Sequence, residues 1–148
     1  MATDAVPRQR VGFQGLPWLI LRGLGALSLL AVGIVHLQQY VELYSQIPTI
    51  GTLFGLNFVG AVVVCVALLA PLERLGRWGD AVLTLAAIAG IGLAATAFVF
   101  LFVSERTPLF GFQEPGYDPF AIMAARIAEV ATVVSLAAFL AGRLIRGQ

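Results

Sequence analysis

Two ionisable residues, Arg126 and Glu129, lie three positions apart within a long apolar stretch near the end of the chain. Residues with this spacing share one face of a helix, so we expect the guanidinium and the carboxylate to pair. Charged groups inside a membrane are costly and usually face the bundle interior or a water-filled cavity. The pair therefore predicts either a contact that fixes helix register or part of a ligand or ion site.

His36 is the only histidine of the chain, and Tyr40 and Tyr44 follow it at intervals of four residues. If one helix continues through all three, they form a row along one face. Tyrosines at a membrane surface are usually anchors, and the alternative is that His36 and Tyr40 form the rim of a polar cavity. A lone histidine cannot supply two haem ligands, and no ligand spacing indicates a metal site. We therefore expect neither a cofactor nor a bound metal.

Catalytic chemistry has little support in the sequence. There is no visible pairing of a nucleophile with a base, and the glycines show no phosphate-binding pattern. Cys65, the one cysteine, lies mid-span among valines, where packing is the simplest interpretation. A net charge of +1 gives no reason to expect a nucleic-acid partner. We therefore expect a protein without catalytic residues.

The composition indicates lipid as the solvent. Hydrophobic residues make up 59% of the 148 residues and charged residues 11%, against about 25% charged residues in soluble domains. Four apolar segments reach the roughly 20 residues that a helix needs to cross a bilayer, and none has the alternating polarity of a barrel strand. The sequence predicts one all-α domain over residues 1–148, a four-helix transmembrane bundle with spans at about 16–37, 50–70, 81–103 and 120–141.

Arginine placement indicates the orientation, because cytoplasmic loops carry an excess of basic residues. Only Arg106 lies on the side of the two longer connections, 38–49 and 104–119, and Arg126 lies within a span. We expect a multi-pass plasma-membrane protein with both termini in the cytoplasm and a first helix that remains as a permanent span. The basic residues on the cytoplasmic side are Arg8, Arg10, Arg22, Arg74, Arg77, Arg143 and Arg146.

Polar residues of all four spans fall in the outer half of the predicted bundle. At a rise of about 1.5 Å per residue, Asn57 lies ~10 Å, Arg126 ~9 Å and Glu129 ~14 Å below the outer helix ends. The inner halves consist mainly of Ala, Val, Leu and Gly. We therefore predict a ligand-binding site in the outer half, beneath the loop 110–117. Its expected residues are His36, Tyr40, Asn57, Arg126 and Glu129.

Several short motifs carry a resemblance that extends over nearly the whole chain. They are His36-Leu-x-x-Tyr40, then Ile47-Pro48-Thr49-Ile50-Gly51 with Leu53-Phe54 and Leu56-Asn57, and later Phe110-Gly-Phe-Gln-Glu114 with Glu129. In these the chain resembles a group of small four-span membrane proteins common in actinobacteria. The resemblance implies architecture and source, and it implies no activity.

Together these expectations favour a non-enzymatic membrane protein. It would be an accessory subunit of a larger membrane complex or of a homo-oligomer, or a binder of a small apolar or lipid-like ligand in its outer half. Two alternatives stay open. One is a quinone- or redox-linked membrane enzyme that uses His36, Tyr40 and Glu129. The other is a small homodimeric transporter with Glu129 as its proton-coupled carboxylate.

The orientation can be tested with a reporter that fluoresces only in the cytoplasm, fused after Gln148. The fusion should be bright, because the arginine distribution places the C-terminus inside. Gly76→Cys should resist a membrane-impermeant thiol reagent on intact cells, and Gly111→Cys in the opposite loop should react. A dark fusion together with a reactive Gly76→Cys variant would contradict the orientation.

Overall fold

Four long helices make up most of residues 16–146, which are the residues that the computed structural model describes. Within that range there is no strand, and one isolated bridge joins Leu109 to Phe112. The predicted all-α four-helix bundle is confirmed. Arg8 and Arg10, which contribute to the predicted orientation, lie outside the described residues. The helices are α1 (Leu16–Gln39), α2 (Ile50–Leu69), α3 (Arg77–Ser104) and α4 (Pro119–Arg146).

Each of the four helices is long and apolar enough to cross a membrane. Their outward faces carry exposed large apolar side chains, such as Leu27, Val63, Leu85 and Ile127. In water such surfaces would associate, whereas in a bilayer they contact lipid tails. The chain is therefore a multi-pass integral membrane protein. Its helices neighbour one another in the order α1, α2, α3, α4, and α4 packs back onto α1. Among these four neighbouring pairs, α2 and α3 have the least extensive contact.

One half of the bundle is tightly packed. This half contains the 70–76 connection and both ends of the described chain, and we call it the terminal end. Its core includes Ala26, Leu68, Ala87 and Leu136, all completely buried. Small residues let the helices approach closely there. A Cβ atom on Gly90, for example, would come within 2.8 Å of Leu136 Cδ1. The buried small residues at four-residue intervals on α3 thus pack within the bundle; they are Ala86, Gly90 and Ala94.

Ion pairs hold the terminal end together. The Arg22 guanidinium bonds the Glu73 carboxylate, and Arg143 Nη2 lies 2.8 Å from Asp80 Oδ1. Partial burial raises the pKa of the Glu73 carboxyl. A backbone hydrogen bond and Arg22 together lower this pKa by more than burial raises it, so it lies below the usual value. Glu73 therefore stays charged at neutral pH and fixes the short connection to α1.

The opposite end of the bundle, here called the loop end, is closed by residues 105–118, the capping loop. The Glu114 backbone N–H donates to the Ser104 carbonyl at 2.9 Å, and the Tyr44 hydroxyl donates to the Glu114 carboxylate. Gln39 Nε2 donates to Asp118 Oδ2 at 3.0 Å, while the other oxygen of Asp118 accepts from the Ala121 N–H and so caps α4. The capping loop is thereby fixed to α1, α3 and α4.

Candidate functional site

A cavity of about 400 Å³ lies in the loop-end half, between the four helices and the capping loop. Pockets that bind small molecules typically have volumes of about 300–1,000 Å³, with mostly apolar walls and a few converging polar groups. The walls here have that composition. Their larger apolar side chains are Leu53, Phe54, Leu93, Phe100, Leu101, Leu109, Phe112 and Ile122.

Two buried polar side chains that line this cavity each have an oxygen atom without a hydrogen-bond partner in the described part of the chain. Glu129 is 1% exposed and Asn57 is 8% exposed, and both line the cavity. Among the described residues, neither Glu129 Oε2 nor Asn57 Oδ1 has a hydrogen-bond partner. A buried polar atom left unpartnered costs about 1–3 kcal/mol, so almost all such atoms in folded proteins are paired. Because both residues line the cavity, a molecule bound there is a candidate partner for these two acceptor atoms.

His36 also lines the cavity and is fixed in one orientation. Its Nδ1 donates to the Val32 carbonyl at 2.9 Å, and its ring lies 4.9 Å from the ring of Phe54. A carbonyl can only accept, so Nδ1 carries the hydrogen, and in the neutral ring Nε2 becomes an acceptor. Three of the five residues predicted from the sequence thus meet at one cavity: His36, Asn57 and Glu129.

Tyr40 is the fourth predicted residue, and it does not line the cavity; Tyr44 does. The position of Tyr44 follows from a π-helical turn over Tyr40–Tyr44, in which the Ser45 N–H bonds the Tyr40 carbonyl at 2.9 Å. The extra residue in this turn rotates the later residues by about 100° relative to an α-helix and brings Tyr44 towards the face of His36. The buried Tyr44 ring contacts Phe54 at 4.7 Å and Phe112 at 5.5 Å.

Arg126 is the fifth predicted residue, and its predicted pairing with Glu129 is wrong. Arg126 Nη2 lies 2.5 Å from Glu105 Oε2, and no ion pair joins Arg126 to Glu129 within the described residues. The long arginine side chain extends towards the loop end, where 39% of it is exposed, rather than towards mid-membrane. Arg126 does not line the cavity, so Glu129 lies there without Arg126 as an ion-pair partner.

Sequence reasoning missed the polar loop end of the cavity. Gln39, Ser104 and Glu114 are all buried and line it, together with Tyr44. Glu114 accepts from the Tyr44 hydroxyl and from the backbone N–H groups of residues 116 and 117, so its carboxylate is fully engaged. The Tyr44–Glu114 and Gln39–Asp118 bonds join positions 70 and 79 residues apart, and no local pattern in the sequence indicates them.

No group of three or more His, Cys, Asp or Glu side chains within residues 16–146 is arranged to hold a metal ion. Comparisons with protein-family models, with curated proteins and with solved structures found no match to this chain. The resemblance to small actinobacterial membrane proteins therefore stays a prediction. What the arrangement offers chemically is a largely apolar cavity with hydrogen-bonding groups from each of the four helices and from the capping loop.

The corrected ion pair can be tested with double-mutant cycles of unfolding in detergent micelles. Arg126→Gln with Glu105→Gln should give a coupling energy of about 0.5 kcal/mol, as for a partly exposed pair. The cycle of Arg126→Gln with Glu129→Gln is the control, and its coupling should be smaller because those side chains make no contact. A larger coupling to Glu129 than to Glu105 would restore the pairing predicted from the sequence.

Proposed function

We propose that the protein binds a small apolar or lipid-like molecule in the loop-end cavity and does not convert it chemically. One observation carries the proposal: Glu129 and Asn57 line an apolar cavity, and each has a buried oxygen atom that no group within residues 16–146 bonds. A bound molecule with a suitable polar group would satisfy both and would fill the apolar space with favourable contacts.

The contrast between the two halves of the bundle supports binding over transport. Ala26, Leu29, Leu68 and Leu136 are completely buried in or next to the terminal-end core. A transporter needs a polar route through both halves of the membrane, and such a core offers none. A molecule that enters the cavity would leave by the side from which it came.

The proposed setting is the plasma membrane, with the terminal end in the cytoplasm and the cavity in the outer leaflet. The arginine distribution supports this orientation. In this setting the protein would hold a membrane component in the outer leaflet. It would do so as a lone binder or as the ligand-carrying accessory subunit of a larger membrane complex or homo-oligomer.

Native mass spectrometry of the protein in nanodiscs tests the proposal. The wild-type chain should retain a small-molecule adduct from its host membrane, and Ala125→Phe should reduce the adduct at least tenfold, because Ala125 is buried in the cavity wall. Ala124→Phe is the matched control, since residue 124 does not line the cavity. Ala97→Phe fills the same space from α3, and it provides the same test if Ala125→Phe fails to fold.

Thermal unfolding followed by circular dichroism establishes that each variant is folded. A wild-type chain without an adduct, or an adduct equally abundant on Ala125→Phe and Ala97→Phe, would overturn the proposal. Loss of the adduct from the control Ala124→Phe alone would also place the ligand elsewhere.

A further inference from the structure

The polar side chains around the cavity offer mainly hydrogen-bond acceptors. Four of them have already donated a hydrogen to another group of the protein: His36, Gln39, Tyr44 and Ser104. The oxygen atoms that stay buried and unpartnered within residues 16–146, Glu129 Oε2 and Asn57 Oδ1, are acceptors as well. The complementary ligand therefore has to supply hydrogens, one for each of these two atoms.

Both acceptor atoms are almost fully enclosed, and they come from different helices. Each has almost no accessible surface, and Asn57 of α2 lies at a depth similar to that of Glu129 of α4. Only a compact group with several hydrogens can approach two such atoms together. A hydroxyl has one hydrogen to donate and serves one acceptor, whereas a primary ammonium carries three N–H groups at the end of a chain.

The carboxyl groups that line the cavity, those of Glu114 and Glu129, have no basic counterpart in its wall. The chain contains no lysine, and no arginine among the described residues lines the cavity. The Tyr44 hydroxyl and two backbone N–H groups bond the Glu114 carboxylate, but no ion pair reaches Glu129 in the described part of the chain. An ionised carboxylate in a low-dielectric interior needs a countercharge. A cationic ligand would supply it, and an anionic ligand would be repelled.

Aromatic and aliphatic side chains make up most of the remaining wall. Phe54 lies one turn before Asn57 on the same face of α2. Phe100 of α3 and Phe112 of the capping loop also line the cavity. The face of an aromatic ring carries partial negative charge and attracts a cation, and the aliphatic part of the wall suits a hydrocarbon chain. The cavity therefore fits a cation that is joined to an apolar body.

We infer that the ligand is an apolar molecule whose only charged group is a primary ammonium, which donates hydrogen bonds to Glu129 and Asn57. This inference rests on the proposed function and specifies the chemical class of its ligand. The ammonium supplies both the countercharge and the hydrogens that the two acceptors lack. Phospholipids with an amino headgroup fit less well, because their phosphate would enter a cavity that offers it two carboxyl groups and, among the described residues, no arginine.

Photocrosslinking in phosphatidylcholine nanodiscs tests the ligand class, with a diazirine-bearing hexadecylamine as the probe. The amine is protonated at neutral pH, because an alkyl amine titrates near the lysine pKa of about 10.4. Labelling should map to cavity-lining residues such as Leu93 and Phe100, and Ala125→Phe should reduce it at least tenfold. Phosphatidylethanolamine added to the nanodiscs should leave the labelling unchanged. Loss of labelling on that addition would overturn the inference in favour of a phospholipid headgroup.

Four unlabelled competitors separate charge from hydrogen bonding. Dodecylammonium has a charge and N–H groups, dodecyltrimethylammonium has the charge alone, dodecanamide has the N–H groups alone, and dodecyl methyl ether has neither. At equal concentrations within the bilayer, dodecylammonium should compete at least tenfold better than each of the other three. The reason is that it alone supplies both the countercharge and the hydrogens. Equal competition by any of the three would overturn the inference.

Two variants assign the preference to the two acceptors. Glu129→Gln keeps the size of the side chain and removes its charge, so it should abolish the preference for dodecylammonium over dodecanamide. Glu42→Gln is the matched control and should keep the preference, because Glu42 is an exposed acidic residue of the π-helical turn that does not line the cavity. Asn57→Leu should reduce the preference over dodecyltrimethylammonium at least threefold, and it provides an independent test if Glu129→Gln fails to fold.

The outcomes separate this inference from the proposal beneath it. Equal competition by all four compounds, with labelling still reduced by Ala125→Phe, would overturn the ammonium and leave the binding function standing. A preference for dodecylammonium that survives both Glu129→Gln and Asn57→Leu would do the same. A wild-type chain without a host-membrane adduct, together with labelling that Ala125→Phe and Ala97→Phe leave unchanged, would overturn both. A preference that depends on Glu129 and Asn57 supports both.

Discussion

The main constraint on this structure is a buried carboxyl group in a membrane helix, one oxygen of which has no hydrogen-bond partner among the residues that the structure describes. Glu129 is almost fully buried in α4, and its Oε2 atom has no partner among the described residues. In a medium of low dielectric constant, such a group is far more costly than in water. Asn57 shares the same cavity and the same deficit. A bundle built for stability alone would bring these groups together or replace them.

The rest of the fold explains why the cost is not relieved internally. Glycine and alanine bring the helices close at the terminal end, where Leu136 packs against Gly25 and Gly90. At the loop end, the π-helical turn and the capping loop form a layer of polar contacts around Tyr44 and Glu114. Those contacts occupy the helix ends and leave the space between that layer and the tight core unfilled. Arg126 forms its ion pair with Glu105, so within the described residues no ion pair reaches Glu129.

The sequence predicted the parts of this arrangement that depend on local composition. An apolar run of sufficient length predicts a membrane helix, and a polar residue within such a run can be recognised wherever it lies along the run. His36, Asn57 and Glu129 are identified in this way, and they meet at one cavity. The helical rise alone places them at similar depths, without knowledge of any contact.

What the sequence could not predict depends on contacts between distant residues. A spacing of three residues puts Arg126 and Glu129 on one face but does not exclude a better partner for Arg126, and Glu105 provides one from the end of α3. The predicted row of His36, Tyr40 and Tyr44 requires a period of 3.6 residues through this turn, and the turn is π-helical. The cavity depends on how closely the four helices pack at the loop end, and no single segment encodes those distances.

The most direct measurement is a crystal structure of the protein grown from bicelles of host-membrane lipids. We expect one elongated density in the loop-end cavity that lies within hydrogen-bond distance of Glu129 Oε2 and Asn57 Oδ1. A closed loop-end half, in which Glu129 and Asn57 bond only to protein groups and no ligand density lies between the helices, would contradict the binding site itself.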